Sequence, residues 1–234
     1  MTDIKYRHLF FDLDHTLWDF EANARVTLET LYQDLALRSR GVDDFQQFYL
    51  NYLQHNEKLW ERYRKGFIRQ EELRTKRMAL SLLDFRIADD KLTRQMSEQF
   101  IDLLPTRTIL FPHTREILDY LRHNGYELHL ITNGFDQVQH SKLRNSGLDK
   151  YFGHVITSEG SNSLKPNKEI FEYAFSKTRA SKETSIMLGD TPEVDIQGAI
   201  NAGIDQVFVN HTGITSNLKA TYTITHLKDL EQIF

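Results

Sequence analysis

Two acidic residues, Asp12 and Asp14, stand at the end of a short apolar run (HLFFDLD, 8–14) that is typical of a buried strand. The carboxylate of Asp12 can attack phosphorus and form an acyl-phosphate intermediate. The carboxylate of Asp14 can protonate the leaving alkoxide and then take a proton from the attacking water. With Thr16 in support, this spacing suggests phosphoryl transfer. Capping of a following helix by Asp14 or Thr16 is the structural alternative.

Two further segments carry groups that bind phosphate. Thr132-Asn133-Gly134 follows an apolar run (ELHLI), and a hydroxyl with successive backbone N–H groups at such a turn can hold phosphate oxygens. An ordinary Asn-Gly turn is the alternative there. Lys165 precedes a proline in a loop, with a helix predicted from residue 167 or 168. A fixed cation at this point can neutralise a phosphoryl group and keep a carboxylate nucleophile ionised.

A fourth segment, GDTPEVD (189–195), places a carboxylate directly after an apolar run. Magnesium in proteins is held by few carboxylates, several waters and a phosphate oxygen. Asp12, the backbone carbonyl of Asp14 and Asp190 make such a set, with Asp195 in support. The pattern therefore predicts a Mg²⁺ site, and a helix N-cap by Asp190 is the alternative.

The elements that must position these groups follow an alternating order after residue 105. A helix is predicted from residue 112 to a stop at Gly125, and helical stretches separate later strand-like runs. Those runs lie at 127–132, 154–157, 185–189 and 205–209, with an edge strand predicted at 222–227. Alternating strands and helices indicate a Rossmann-like α/β core with a doubly wound parallel sheet. Because ligands bind beyond the carboxyl ends of such strands, we expect the four polar clusters to converge on one edge.

The stretch between the first strand and residue 107 is helical throughout, without strand-like runs. Phe45, Phe48, Tyr49 and Tyr52 fall on one helix face, with spacing i, i+3, i+4, i+7. We therefore predict a core formed by 1–16 and 108–234, with an all-helical cap domain, 17–107, inserted after the first motif.

The cap is expected to cover the site and exclude water during phosphoryl transfer. Candidate substrate-contacting residues surround Gly66, and an aromatic ring there can stack on a base while a cation meets a phosphate. These candidates are Trp60, Arg62, Tyr63, Arg64 and Lys65. The spacing of Trp60, Tyr63 and Phe67 also fits a cap core. Trp18, at the predicted hinge, is the stronger candidate for lining the cleft.

Composition excludes several classes of protein. The chain of 234 residues has 29 Lys+Arg against 33 Asp+Glu, a net charge of −4, which argues against a coat for nucleic acid or an anionic membrane. The absence of cysteine removes disulfides, thiolate zinc sites and cysteine nucleophiles, and suits the cytoplasm. We expect neither a signal peptide nor a membrane span. No feature indicates an oligomeric state, and the histidines show no metal-ligand spacing, so His113, His123, His129 and His140 are predicted to be structural or solvated.

In this order, the four segments resemble the haloacid dehalogenase superfamily of phosphatases. The matching motifs are DLDHT (12–16), Thr132, Lys165-Pro166 and GDTPEVD (189–195), which together span nearly the whole predicted core. The resemblance implies a helical cap and these roles: Asp12 as nucleophile and metal ligand, Asp14 as acid/base and backbone ligand, Thr132 and Lys165 as phosphate binders, Asp190 as metal ligand, Asp195 as support. Members that act as dehalogenases lack the second acid, so the presence of Asp14 argues against that reaction.

A narrower resemblance is to the bacterial pyrimidine 5′-nucleotidase branch. It rests on ITNGF (131–135), KPNKEIFEYAF (165–175), GDTPEVDIQGAINAGI (189–204) and the cap stretch LWERYRKGFIRQEEL (59–73). Asn162 departs from a common glycine, and Asn tolerates the left-handed backbone that such a position needs. This departure weakens the inference from the branch to the substrate of this chain, but it does not affect the inferred chemistry.

We therefore expect a Mg²⁺-dependent phosphomonoesterase whose partner is a small phosphorylated metabolite, a nucleoside 5′-monophosphate in the first instance. A sugar-phosphate or phosphoglycolate phosphatase, a pyrophosphatase and a phosphomutase are alternatives, because one core serves them all. A catalytically silent scaffold is the alternative outside enzymes, and it has no need to retain all the motif residues.

Overall fold

The computed structural model describes residues 5–234; residues 1–4, which begin the predicted segment 1–16, lie outside the described residues. The chain divides into two compact units. One contains the chain up to Phe20 together with Thr108–Phe234, and the other is Glu21–Arg107. None of the helices in the described part of the chain is long and apolar enough to cross a membrane.

The first unit is built on a parallel sheet that has six strands within residues 5–234. Their order is β3-β2-β1-β4-β5-β6, so the chain winds to one side of β1 and then to the other. The strands are β1 His8–Phe11, β2 Glu127–Thr132, β3 His154–Thr157, β4 Ser185–Gly189, β5 Asp205–Val209 and β6 Tyr222–Ile224. The predicted doubly wound α/β fold is confirmed.

Helices cover both faces of this sheet, as expected for parallel strands whose residues are mostly buried. They are α5 Thr114–His123, α6 Asp136–Ser146, the single turn α7 Ser158–Ser161, α8 Lys168–Thr178 and α9 Gln197–Ala202. Phe10, Ile131 and Met187 of the sheet share a core with Phe171 of α8 and Ala199 of α9. Central strands buried on both faces give the sheet edge a rigid base for the site.

One local feature departs from the sequence pattern and a second agrees with it. The strand predicted over 8–14 ends at Phe11, because Leu13 O accepts bonds from the Leu17 and Trp18 amides and turns the chain. Asn162 has φ 51°, the left-handed conformation expected of the residue that replaces a glycine, and it closes α7. The first difference brings the acids of 12–14 into a turn beyond the strand.

The second unit consists of four helices within 21–107, of which the first begins at the boundary residue: α1 Phe20–Asp34, α2 Phe45–Arg64, α3 Gln70–Leu83 and α4 Asp90–Leu103. Asp44 and Asp89 cap α2 and α4 by accepting the amides of Gln47 and Leu92. The predicted apolar face of α2 is buried at Phe48, Tyr49 and Tyr52. Tyr52 packs on Phe100 of α4, with ring centroids 5.4 Å apart.

Phe67 does not belong to this helical core. Its side chain is 68% exposed, so the prediction that it packs with Trp60 and Tyr63 is wrong. The reason is that α2 ends at Arg64 and Gly66 adopts φ 73°, which breaks the helical spacing before residue 67 is reached.

Candidate active site

Asp12 lies immediately beyond the carboxyl end of the central strand β1. Its backbone N–H donates to Leu188 O of β4 (2.8 Å), so the residue is held at the point where the winding of the sheet reverses. In doubly wound sheets this is where ligands bind. The side chain is almost fully buried, and Oδ1 accepts a hydrogen bond from Lys165 Nζ at 2.5 Å.

Lys165 bridges two carboxylates in the interior. Its ammonium donates to Asp12 Oδ1 (2.5 Å) and to Asp195 Oδ1 (2.7 Å), and the side chain is 1% exposed. Burial alone would lower the pKa of Lys165, but the charges of Asp12 and Asp195 outweigh it and raise the pKa above its usual value. The ammonium is therefore a permanent positive charge in the site.

The loop that carries Lys165 is fixed by Asn133. The Asn133 side chain accepts from the Lys165 backbone N–H (2.7 Å) and donates to the Lys165 carbonyl (3.0 Å). Because both polar atoms of the amide are occupied, the side chain of Asn133 positions the cation. The predicted phosphate contact of Asn133 stays a prediction.

Asp190 follows β4 as predicted and accepts hydrogen bonds from two hydroxyls, Thr16 Oγ1 (2.8 Å) and Thr191 Oγ1 (3.1 Å). Asp195 Oδ2 accepts the Thr191 backbone N–H at 3.0 Å. The helical turn Pro192–Ile196 begins after Thr191, so capping by Asp190 is not what the structure shows. Thr16 likewise bonds to Asp190 rather than capping a helix.

Gly189 is required for this packing. An ideal Cβ at position 189 would lie 2.4 Å from the Cβ of Asp195, closer than real atoms approach. The missing side chain lets Asp195 fold back under the strand end, where it meets both Lys165 and the Thr191 amide. Both oxygens of Asp195 are thereby engaged, which suits a supporting carboxylate.

The acidic cluster fits a divalent cation. Single oxygens of Asp12, Asp190 and Asp195 all lie within 4.8 Å of one another. Burial, with the neighbouring carboxylates, raises the pKa of Asp12 well above its usual range, although Lys165 opposes this. Burial and then Asp195 raise the pKa of Asp190 to about 7. Among the described residues the cluster therefore has an excess of buried negative charge, and its hard oxygen donors match Mg²⁺.

Asp14 is held by two residues that the sequence pattern did not single out. Lys142 Nζ donates to Asp14 Oδ1 (2.5 Å), and Gln139 Nε2 donates to Asp14 Oδ2 (2.9 Å) and to Thr132 Oγ1 (2.6 Å). Gln139 and Lys142 stand at i and i+3 on α6, which begins after the Thr132 turn. Buried polar residues on one face of a helix that starts at the sheet edge were the available signal.

Gln139 and Lys142 together form a clamp on Asp14, and a second glycine makes room for this clamp. An ideal Cβ on Gly134 would lie 2.1 Å from Gln139 Nε2, so the glutamine reaches Asp14 and Thr132 only because position 134 carries no side chain. The Gly134 backbone N–H also donates to Thr132 Oγ1 (3.1 Å). The hydroxyl of Thr132 accepts both bonds, so its own proton is still able to make the predicted phosphate contact.

Trp18 supports the lysine of the clamp. The Lys142 ammonium lies 4.3 Å from the centroid of a Trp18 ring, and the indole is fully buried. A cation over an indole face is attracted by the ring quadrupole. Trp18 therefore acts on Asp14 through Lys142 in this structure, and the prediction that it lines the cleft stays a prediction.

The predicted cap residues lie at the end of α2 and just beyond it, in the second unit. Trp60 and Tyr63 meet edge to face with centroids 5.7 Å apart, and Lys65 pairs with Glu61 (2.5 Å) on the surface. Arg62 is exposed and Arg64 is half-buried. Their predicted contacts with substrate stay predictions.

The fold and the site together define a class: a doubly wound α/β protein with an acidic, cation-fitting centre and a buried lysine at the switch point of its sheet. A family model for haloacid dehalogenase-like hydrolases matches residues 6–203. The chain belongs to this family, and the predicted family resemblance is confirmed.

Individual relatives cover nearly the whole chain. The pyrimidine 5′-nucleotidase PynA of Streptococcus pneumoniae is 33% identical over 96% of this chain and 93% of its own. The pyrimidine 5′-nucleotidase YjjG of Escherichia coli is 31% identical over 98% of both chains. The magnesium-bound structure of the HAD-hydrolase YfnB of Bacillus subtilis superposes with a TM-score of 0.88 at 27% identity, covering 98% of both chains.

Proposed function

We propose that this chain is a Mg²⁺-dependent phosphomonoesterase that dephosphorylates nucleoside 5′-monophosphates through an aspartyl-phosphate on Asp12. The observation that carries the proposal is the pairing of two carboxylates with different partners at one sheet edge. Asp12 is fixed by the buried ammonium of Lys165, and Asp14 is fixed by Lys142 and Gln139. With these different partners, Asp12 is placed to act as the nucleophile and Asp14 as the acid/base.

In the first step an oxygen of Asp12 attacks phosphorus while the bond from phosphorus to the ester oxygen breaks. Asp14, as general acid, gives a proton to the departing alkoxide, which leaves as an alcohol. In the second step Asp14 takes a proton from water, whose oxygen attacks the phosphoryl group. The bond to Asp12 breaks, and inorganic phosphate leaves with the nucleophile restored.

Phosphate is held by the Thr132 hydroxyl, the backbone N–H groups that follow it and the charge of Lys165. Asp12, the Asp14 backbone carbonyl and Asp190 would hold the Mg²⁺ ion, with Asp195 in support through Lys165 and Thr16 in support through Asp190. When bound, Mg²⁺ supplies charge neutralisation and orientation of the phosphoryl oxygens. Lys165 positions the carboxylate of Asp12 through the hydrogen bond that it donates, while Asp195 holds the ammonium from the other side.

The helical unit is proposed to be the cap, with the predicted boundaries 17–107 around a core of 1–16 and 108–234. The choice of nucleotides is supported by the two pyrimidine 5′-nucleotidases among the relatives. Trp60 and Tyr63 provide aromatic surface for a base, and Arg62, Arg64 and Lys65 provide cations. The family and the fitting of the acidic cluster support Mg²⁺ as the cofactor.

The proposal is tested by phosphate release from nucleoside monophosphates, sugar phosphates, phosphoglycolate and pyrophosphate in Mg²⁺. Asp12→Asn, which keeps the shape of the side chain, is expected to lower kcat by about 1,000-fold or more. Asp149→Asn, an exposed acid of the same unit, is the matched control and is expected to retain full activity.

Nucleotide preference that disappears in Asp12→Asn supports both mechanism and substrate. Activity restricted to sugar phosphates or pyrophosphate contradicts the substrate, and phosphate release that is unchanged in Asp12→Asn contradicts the mechanism.

A further inference from the structure

A second cluster of ligand-type side chains lies at the opposite end of β1. His8 of β1 is aligned with Glu127 of β2, and Phe10 with His129, so the side chains of His8, Glu127 and His129 share one face of the sheet. His8 Nδ1 lies 3.3 Å from His129 Nε2 and 3.6 Å from Glu127 Oε2. One ligand atom from each residue lies within 4.8 Å of the others. His8 precedes Asp12 by four residues, about 13 Å along a strand.

These separations match the edges of a tetrahedral metal site. Zinc binds imidazole nitrogen and carboxylate oxygen at about 2.0–2.2 Å, which places neighbouring ligand atoms about 3.3–3.5 Å apart. The observed 3.3 Å and 3.6 Å therefore need only small side-chain movements to accept an ion. Two imidazoles and a carboxylate are also the donor set that favours zinc over magnesium.

Both histidines of the cluster are buried in the sheet. Burial lowers the pKa of His8, and burial together with His8 and His154 lowers the pKa of His129 to about 4.

The carboxylate and its surroundings complete the site. Arg7 holds Glu127 Oε1 through Nε (2.9 Å) and Nη2 (2.8 Å), which leaves Oε2 turned toward His8. Such support from a second residue orients metal-binding carboxylates. The Glu127 side chain is 41% exposed, so an ion can enter from solvent. His154 is paired with His129 in register, and their ring centroids lie 5.4 Å apart on this same face.

A direct hydrogen bond between the two histidines is the alternative, and it accounts for less. Like zinc binding, it satisfies one nitrogen of each ring. At 3.3 Å the pair is also longer than common N–H hydrogen bonds. The hydrogen bond gives no reason for Glu127 Oε2 to face the same point.

We propose that His8, Glu127 and His129 bind a zinc ion, at the amino end of the strand whose carboxyl end carries Asp12. The site leaves a fourth coordination position for water or for His154. The ion connects β1 to β2 on the sheet face that carries these three side chains. Its nitrogen ligands distinguish it from the oxygen-rich Mg²⁺ centre.

The test is a titration of chelator-stripped, full-length protein with Zn²⁺ alone, in excess Mg²⁺ that occupies the oxygen-rich centre. A chromogenic chelator in competition reports affinity and stoichiometry, and Co²⁺ in place of Zn²⁺ reports tetrahedral coordination through its visible absorption. We expect one equivalent of Zn²⁺ per chain. His8→Gln and Glu127→Gln are expected to weaken binding by about tenfold or more, and the exposed His123→Gln is expected to leave it unchanged.

Glu127→Gln keeps the test decisive if a buried histidine variant fails to fold, because its side chain is partly exposed. Asp190→Asn separates the two ends of the strand. If Asp190→Asn abolishes the bound equivalent while Glu127→Gln retains it, zinc binds at the catalytic centre and the proposal is wrong. Failure to bind Zn²⁺ in excess Mg²⁺ overturns it equally.

Discussion

Basic side chains are buried at both ends of β1, and their pKa values are shifted in opposite directions. At the carboxyl end, Lys165 stays charged because it lies between two carboxylates. At the amino end, His8 and His129 lose their charge because burial is opposed only by Glu127, whose carboxylate is shared with Arg7. Burial alone therefore does not decide protonation, since the neighbouring charges determine which state survives.

The two ends of β1 also differ in the type of ligand atom that they present. The carboxyl end presents oxygen atoms with excess negative charge, which suits a hard cation and a phosphoryl group. The amino end presents neutral nitrogens with one carboxylate. Strand β1 is 4 residues long, so a single short element separates the two chemical environments.

The largest change is expected from Lys165→Met, which removes the cation but keeps an unbranched side chain. Asp12 and Asp195 are left as buried, unpaired charges, which destabilises proteins by about 3–5 kcal/mol. Phosphate release is expected to fall by about 100- to 1,000-fold, because an electrostatic contact to the phosphoryl group is lost. Urea unfolding and initial rates measure the two effects, and Mg²⁺ is expected to restore more stability to the variant than to the wild type.

The matched control is Lys168→Met, three residues further along the chain. Lys168 pairs with Glu172 on the surface, at 3.3 Å and with 59% exposure, and such pairs contribute at most about 1 kcal/mol. Equal destabilisation by Lys165→Met and Lys168→Met would contradict this expectation, because it would show that burial of the charge does not affect stability.

A smaller and more selective effect is expected from Lys142→Met. The substitution keeps packing on Trp18 but releases one oxygen of Asp14, which Gln139 still holds by the other. We expect kcat to fall by about 10- to 100-fold with little change in KM, since Asp14, the proposed acid/base, is misplaced rather than lost.

The dependence on leaving group distinguishes this role from a structural one. Nucleotides, which leave as basic alkoxides, should suffer the full loss, and p-nitrophenyl phosphate, which needs little protonation, should suffer less. Arg144→Met, an exposed residue of the same helix, serves as the control. A uniform loss with both substrates would show that Lys142 only maintains the fold.

The smallest effect concerns Asp205, at the amino end of β5. Burial would raise the pKa of Asp205, but hydrogen bonds from Lys5 (2.6 Å) and Tyr6 (2.7 Å) outweigh it and lower the pKa. The folded state therefore binds its proton less readily than the unfolded chain. The resulting stability is present above the unfolded carboxyl pKa of about 3.9 and is lost as the pH falls through the folded value.

Unfolding of wild type and Asp205→Asn, followed from neutral pH into acid, measures this contribution. The Asp205 side chain is 33% exposed and the Lys5 side chain 61%, so we expect a difference below about 1 kcal/mol that shrinks in acid. A difference that keeps its size at low pH would show that the charge of Asp205 contributes nothing.

Much of the core fold could be predicted because its strands are short, mostly apolar runs that alternate with helices. The strands β2, β3, β4 and β5 occupy the predicted ranges, and parallel pairing then forces the polar residues after them to one edge. The side chains of Asp12, Asp195 and Lys165 meet there for that reason. The end of β1 at Phe11 and the exposure of Phe67 depended on local turns that apolar periodicity does not register.

The clamp on Asp14 and the histidine cluster could not be predicted from spacing. Gln139 and Lys142 look like solvated helix residues until α6 is placed against the sheet edge. His8 and His129 are separated by 121 positions and become neighbours only through the register of β1 with β2. His129, predicted to be structural or solvated, is buried at the centre of that cluster.

The central position of β1 has a consequence for local unfolding of the protein. All four of its residues are buried, and it is hydrogen-bonded to β2 on one side and β4 on the other. Amide protons in such a strand exchange with solvent only when the whole domain opens, whereas the edge strand β6 opens in smaller fluctuations. Asp12, the proposed nucleophile, is therefore attached to the part of the sheet that opens last, and partial unfolding at the periphery leaves its carboxylate in place.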